Sequence, residues 1–307
     1  MRTRRSQSSD NPAPVPGHRT VLLHEAVELM DIHEGDTVVD ATLGGAGHSR
    51  EILSKLGAKG HLVAFDADLE AIERARTIFG ADKRVSLIHA NFKNVREKLS
   101  EAGVAAVDKV LFDLGWSGFQ LDAGRGFSFL SDESLSMAYD AGQTLTAATI
   151  VNEWDESSIS DVLYGWGEER YSRRIAHAIA EARGKAAIKT SAELAAIVKA
   201  AVPTAYRFGR LHPATKTFQA LRIAVNDELG ALREGLLAAW HALARNGRIA
   251  VISFHSIEDR IVKQQFREWE DSGSGTRVTK KPLSPSAVEI QENPRSRSAK
   301  LRVIQKN

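Results

Sequence analysis

No cysteine occurs among the 307 residues, and methionine and proline are scarce at three and eight. The missing thiols exclude disulfides and thiolate-held metal and fit a cytoplasmic enzyme without requiring one; no metal is expected. Long apolar runs are missing too. None approaches the roughly 20 residues that a membrane helix requires, so no membrane association is expected. Nor does charge of one sign dominate: 41 basic and 39 acidic residues give a formal net charge of +2. Any surface for nucleic acid must therefore come from local clustering. Residues 1–17 are basic and polar with no apolar segment behind them, which argues against a secretory signal and reads as a disordered tail. Against these absences, 43% hydrophobic and 26% charged residues are ordinary for a globular protein. The length suits one large domain or two moderate ones.

What is present is organised around Asp40-Ala-Thr-Leu-Gly44-Gly45-Ala46-Gly47-His48. The stretch follows the apolar run Thr37-Val38-Val39 and precedes Ile52, Leu53 and Leu56 at helical spacing, which makes a strand, a glycine turn and a helix. Glycines allow close backbone approach, and free N–H groups at a helix start favour electron-rich ligand groups. Asp40 and Gly44 are candidate cofactor residues on this ground. A dinucleotide fold wants a small third residue in G-x-G-x-x-G, where this chain has Arg50. An acid followed by a glycine turn fits S-adenosylmethionine better than a pyrophosphate.

Further along, His61 to Asp66, Val85 to Ala90 and Val107 to Leu114 read as strands, with a helix over Leu69 to Phe79. Asp66 lies about 20 residues past the glycines, the spacing of a ribose-binding acid. Asp40, Asp66 and Asp113 thus recur at strand ends, which predicts a doubly wound, mostly parallel α/β sheet with ligands at the carboxyl ends. The alternation stops at Gly115. A long connection follows, and residues from about Ala147 to Val202 are helical only, with a capping box at Thr190-Ser-Ala-Glu193. The expected organisation is a sheet domain over 18–125 and 210–307 with a small helical insertion over 126–209. In the returning part, Leu221 to Leu243 reads as one helix and Asn246-Gly247 as a turn. Arg248 to His255 reads as a strand, Ser256 as the cap of a helix to Trp269, Asp271 to Gly275 as a loop and Lys300 to Ile304 as the last strand.

Several ordered blocks carry a family resemblance. They include His18 to Val27, Asp40 to Ser49, Asp113-Leu-Gly115, Arg125 to Phe129, Gly167 to Arg174, His212 to Arg222, Ser253 to Arg260 and Asn293 to Arg302. Together they resemble the bacterial small-subunit ribosomal RNA methyltransferases that modify the exocyclic N4 amine of a decoding-centre cytidine. The resemblance implies a Rossmann-like methyltransferase fold, S-adenosylmethionine as cofactor and small-subunit rRNA as partner. By position it implies cofactor contacts at Ala46, Gly47, His48, Asp66, Phe92, Asp113 and Gln120. Phe92 reads equally as a ring stacked on adenine and as plain core. The chain departs from the family's usual pattern at Trp116 to Phe119, at Ser134 to Asp140 and at Ala41, all beside the reactive centre.

For the chemistry, Asp113, or the backbone carbonyl of Leu114 beside it, is the candidate acceptor for the target amine, and Trp116 stands where other amino-methyltransferases place a base-stacking aromatic. Packing of Trp116 beneath the loop is the competing reading. Ser253 and His255, at the end of the fifth strand, are candidates for orienting the base, or His255 is structural. RNA needs basic surface, and no acid occurs from Leu194 to Asn226 or from Asn293 onward. Arg170, Arg173, Arg174, Arg207, Arg210, Lys216, Arg222, Arg295 and Arg297 are the candidate phosphate contacts. A noncatalytic RNA-binding assembly factor is the alternative reading. An NAD-dependent oxidoreductase is disfavoured by Arg50 and Asp40.

Overall fold

A computed structural model of the chain describes residues 19–115, 124–140 and 142–307. The first half runs α1 (Leu23–Met30), β1 (Thr37–Asp40), α2 (Gly47–Lys55), β2 (His61–Asp66), α3 (Leu69–Phe79), β3 (Val85–His89), α4 (Val95–Glu101) and β4 (Val107–Asp113). Helices only then follow: α5 (Ala147–Glu153), α6 (Glu156–Gly167), α7 (Ser172–Arg183), α8 (Ser191–Ala201), α9 (Thr204–Arg207), α10 (Thr215–Asn226) and α11 (Glu228–Ala242). The chain returns through β5 (Leu243–Ser253), α12 (Ser256–Asp271), β6 (Gly275–Arg277), α13 (Ala287–Glu292) and β7 (Lys300–Lys306).

The strands form one seven-stranded sheet in the order β3-β2-β1-β4-β5-β7-β6. β1 pairs in parallel with β2 and β4, β2 with β3, and β4 with β5. β7 enters antiparallel between β5 and β6. This is the doubly wound, Rossmann-like architecture expected, and its strand order reverses between β1 and β4, where such sheets bind ligands. The inner strands are apolar on both faces because helices cover both. Successive residues alternate sides: Val39, Val63, Phe65, Val110 and Phe112 pack with α11 and α12, while Val38, Leu62 and Leu111 pack with α1 and α2.

The helical segment has its own core, which draws on residues from Phe127 to Val225. It extends past position 209 because α10 lays Phe218, Leu221 and Ala224 into that cluster. The single helix expected over Leu221 to Leu243 is two helices. Asp227 adopts a left-handed φ of 46° between them, and the Asn226 amide pins the break by donating to the Met137 and Arg222 carbonyls. Asn246, expected in a turn, does take a left-handed φ of 62°, but as an irregularity within β5, which starts already at Leu243. β6 falls partly on the loop expected at Asp271 to Gly275. Its Gly-Thr-Arg has no apolar alternation to announce it, and main-chain pairing with β7 defines it. No described helix is long and apolar enough to cross a membrane.

Candidate active site

The carboxyl ends of β1, β2 and β4 open into a cleft of about 960 Å³ between the sheet and the helical cluster. Gly44, Gly45, Gly47, His48, Asp66, Phe92 and Asp113 all line it, so most of the sequence-predicted cofactor residues converge. Trp116 and Gln120 lie outside the described residues.

Asp40 is placed differently. It is fully buried beneath the turn and does not line the cleft. One carboxylate oxygen accepts from the Thr42 N–H at 3.1 Å and the other from the Ser49 hydroxyl at 2.6 Å, which fastens the turn to the first coil of α2. Burial pushes its carboxyl above the usual range. Ala46 is also buried, and its left-handed φ of 61° aims the chain into α2.

Asp66 accepts from the Gly44 N–H and the Asp68 N–H, each at 2.8 Å. Burial pushes its pKa up to about 6 against the pull of those hydrogen bonds. The Thr42 hydroxyl accepts from the Asp113 N–H at 2.6 Å and ties β4 to the β1 turn. Asp113 Oδ2 sits 3.4 Å from His48 Nδ1, and its buried Oδ1 has no hydrogen-bond partner among the described residues. Burial works against a charged His48 ring, but Asp113 and then Asp40 outweigh it, so the pKa is raised. Phe92 stands edge-on to Phe112 with ring centroids 5.5 Å apart and also presents surface to the cleft. The ring is therefore part core and part cleft wall.

Of the residues expected to orient a base, His255 lines the cleft. It also caps α12, where Ser256 was expected to: its side chain accepts from the Glu258 N–H while Glu258 reaches back to the start of the helix. Ser253 is buried and faces β7, 3.5 Å from the Lys300 carbonyl oxygen.

The basic residues divide. Arg173, Arg174, Arg210 and Arg297 are exposed and enter no salt bridge among the described residues. Arg170 is exposed with its guanidinium over the rings of Tyr171 and Tyr206, at 4.8 and 5.0 Å. Arg295 lines the cleft mouth. Arg207 is spent on the carbonyls of Val202 and Ala200 at the end of α8, and Lys216 on the Glu168 carbonyl. Arg222 is only 9% exposed rather than on the surface, and it forks onto both oxygens of Glu228 at 2.7 and 2.8 Å.

Sequence reasoning missed the polar wall opposite the aspartates. Tyr139, Asn226, Glu228 and Glu258 line the cleft, and the Tyr139 hydroxyl donates to Glu228 at 2.8 Å. Glu228, His255 and Glu258 bring possible metal-ligand atoms within 4.8 Å of one another. Arg222 and Tyr139 bond the first of these; the capping box uses His255 Nδ1 and Glu258 Oε2, while His255 Nε2 lies 3.1 Å from Glu258 Oε1 with no hydrogen-bond partner among the described residues. Glu258 had a signal, the three-residue spacing of that box. Thr20 was also missed: its hydroxyl packs against Gly47 at the start of α2.

The MraW methylase family matches residues 16–307. The chain belongs to that family. Two curated relatives span almost their whole length in the match, both named ribosomal RNA small subunit methyltransferase H. The protein of Paenibacillus sp. is 46% identical, covering 94% of this chain and 99% of its own. That of Brevibacillus brevis is 44% identical, covering 94% and 98%. Among solved structures, an rRNA methylase from Streptococcus thermophilus superposes with a TM-score of 0.44 at 11% identity, over 92% of this chain and 95% of that one. So distant a likeness adds nothing to the family match. Membership makes the chain a methylase, and the Rossmann-like sheet is its methyltransferase core.

Proposed function

We propose that this chain transfers a methyl group from S-adenosylmethionine to the exocyclic N4 amine of a cytidine in small-subunit rRNA. The observation that carries the reading is one cleft that gathers the Gly44–His48 turn, Asp66 and Asp113 at the reversal point of the sheet and opens beside exposed arginines. The names of relatives 44% and 46% identical support the RNA substrate.

When bound, the donor supplies an electrophilic methyl carbon for in-line displacement. The chain's residues fit such a ligand: Asp66 suits ribose hydroxyls, Phe92 offers an apolar wall, and the start of α2 offers N–H groups to an electron-rich tail. The chain's remaining task is alignment. Cytosine's amine is a weak nucleophile because its lone pair is delocalised into the ring. Asp113 Oδ1, buried and without a hydrogen-bond partner among the described residues, accepts an amine N–H, localises that pair and stabilises the charge that develops as it attacks. His48, held on the other oxygen, keeps the carboxylate oriented.

Labelled methyl transfer to purified small subunits that lack the modification tests the reading, followed by digestion to locate the label. Label on a cytidine N4 is expected; transfer to another base or to none overturns it. In Asp113→Ala the single-turnover rate is expected to fall by about 100-fold or more. Unchanged rate and unchanged donor affinity would remove Asp113 from the mechanism.

A further inference from the structure

The segment Thr204 to Ala214 does something that its sequence neighbours do not. Its first end is braced: the Tyr206 hydroxyl donates to the fully buried Glu169 at 2.7 Å, and Arg207 bonds two carbonyls at the end of α8. Its second end is braced as well. The His212 ring stacks on Phe129 with centroids 4.4 Å apart, and Phe129 in turn lines the active-site cleft. Between these anchors Phe208 is 83% exposed and Leu211 58% exposed, with Arg210 beside them exposed and in no salt bridge among the described residues. A single exposed apolar residue needs no explanation. Here an exposed aromatic ring, a second apolar side chain and a guanidinium in no salt bridge among the described residues fall within four residues of a segment held at both ends.

We propose that Phe208 is a stacking platform for an unpaired base of the RNA beside the target nucleotide, with Arg210 bonding the adjoining phosphate. The inference rests on the RNA-methylation reading above and names a subsite of it. Single-stranded RNA is recognised by aromatic faces interleaved with cations, because every base has a π-face and every link a negative charge. The charge is complementary: no acid occurs in the sequence from Leu194 to Asn226. Placement agrees, since the chain leads from Phe208 to His212 and the cleft wall within a few residues. A target base that leaves its stack exposes its neighbours, and an aromatic platform on the segment that leads to the cleft wall offsets the lost stacking.

The experiment compares wild type, Phe208→Ala, Phe208→Trp and Arg210→Gln as full-length proteins. Equilibrium binding to unmodified small subunits and to a single-stranded RNA fragment spanning the methylated site is measured together with donor affinity by calorimetry. Phe208→Ala is expected to weaken binding to both RNAs by about tenfold, with Phe208→Trp restoring it. Arg210→Gln is expected to lower the slope of log affinity against log salt by about one. Donor affinity should stay at the wild-type value throughout. Unchanged RNA binding in Phe208→Ala overturns the proposal. So does a loss confined to assembled subunits, which would assign the ring to a ribosomal protein, and so does self-association of the wild type that the substitution abolishes. Failure of the wild type to methylate subunits would instead sink the function itself, whatever Phe208 does.

Discussion

The turn between β1 and α2 separates two acids that look alike in the sequence. Asp40 holds the turn from below, and Asp66 faces the ligand space with a carboxyl whose burial lifts its pKa to about 6. A ribose hydroxyl is best received by the carboxylate, so donor affinity is expected to fall as pH drops through about 6. Binding below that value should then release a proton, which calorimetry in buffers of different ionisation enthalpy detects. A flat affinity from pH 5 to 8 would take Asp66 out of the site. The stability consequence has the opposite sense. A raised acid pKa stabilises the fold below the unfolded value near 3.8, and that contribution is lost as pH rises through about 6. For Asp40 the two predictions separate support from contact. Asp40→Ala strands the Ser49 hydroxyl and the Thr42 N–H, at a cost of about 1–3 kcal/mol in denaturant unfolding. Asp40→Asn keeps the shape without the desolvated charge and should bind donor as the wild type does. Lost affinity at full stability would show that the carboxylate reaches the ligand.

At the scale of elements, α2 begins only because Gly47 leaves room for the segment that precedes α1. A Cβ at position 47 would meet Thr20 Oγ1 at 1.8 Å and Thr20 Cβ at 2.9 Å. Gly47→Ala is therefore expected to weaken donor binding about tenfold or more and to lower the thermal midpoint by several degrees, with Thr20→Gly recovering much of both. No recovery would place the clash elsewhere. That contact also marks where legibility ended. The strands β1, β2 and β4 were readable because inner parallel strands are apolar runs that end in a polar residue. The glycine turn was readable because its residue types are few. The break at Asp227 was not: a good helix-forming sequence runs through it, and the Met137 carbonyl that the Asn226 amide bonds lies far away in the chain. The cap at His255 escaped for a nearer reason. Serine is the commoner cap, and only the reach of Glu258 back to the helix start tells the two positions apart. Of the site, the aspartate side was legible as acids at strand ends. The wall of Tyr139, Glu228 and Glu258 was not, since its members meet only after the helical segment has folded against the sheet.

For the whole molecule, that wall is also the joint. α10 belongs to the helical core and α11 to the sheet core, and the two meet at Asp227. Across the joint Arg222 forks onto Glu228, which Tyr139 also reaches, and all three border the cleft. Burial works against the Arg222 charge, but Glu228 outweighs it and holds the guanidinium ionised. Removing one partner of such a pair leaves the other charged and dry, which costs about 3–5 kcal/mol. Arg222→Ala is therefore expected to lower the guanidinium midpoint clearly, and Tyr139→Phe to cost only about 1 kcal/mol. The loss should not fall evenly. With the joint broken, amides of the helical core such as Ile175 and Ile179 should exchange faster than those of Val110 to Phe112, because the helical cluster opens while the sheet stays closed. A phosphate-binding arginine would behave otherwise: stability and exchange would stay put while the salt dependence of RNA binding dropped by about one counterion. Measured on the one variant, the two outcomes decide whether Arg222 holds the cleft together or holds its RNA.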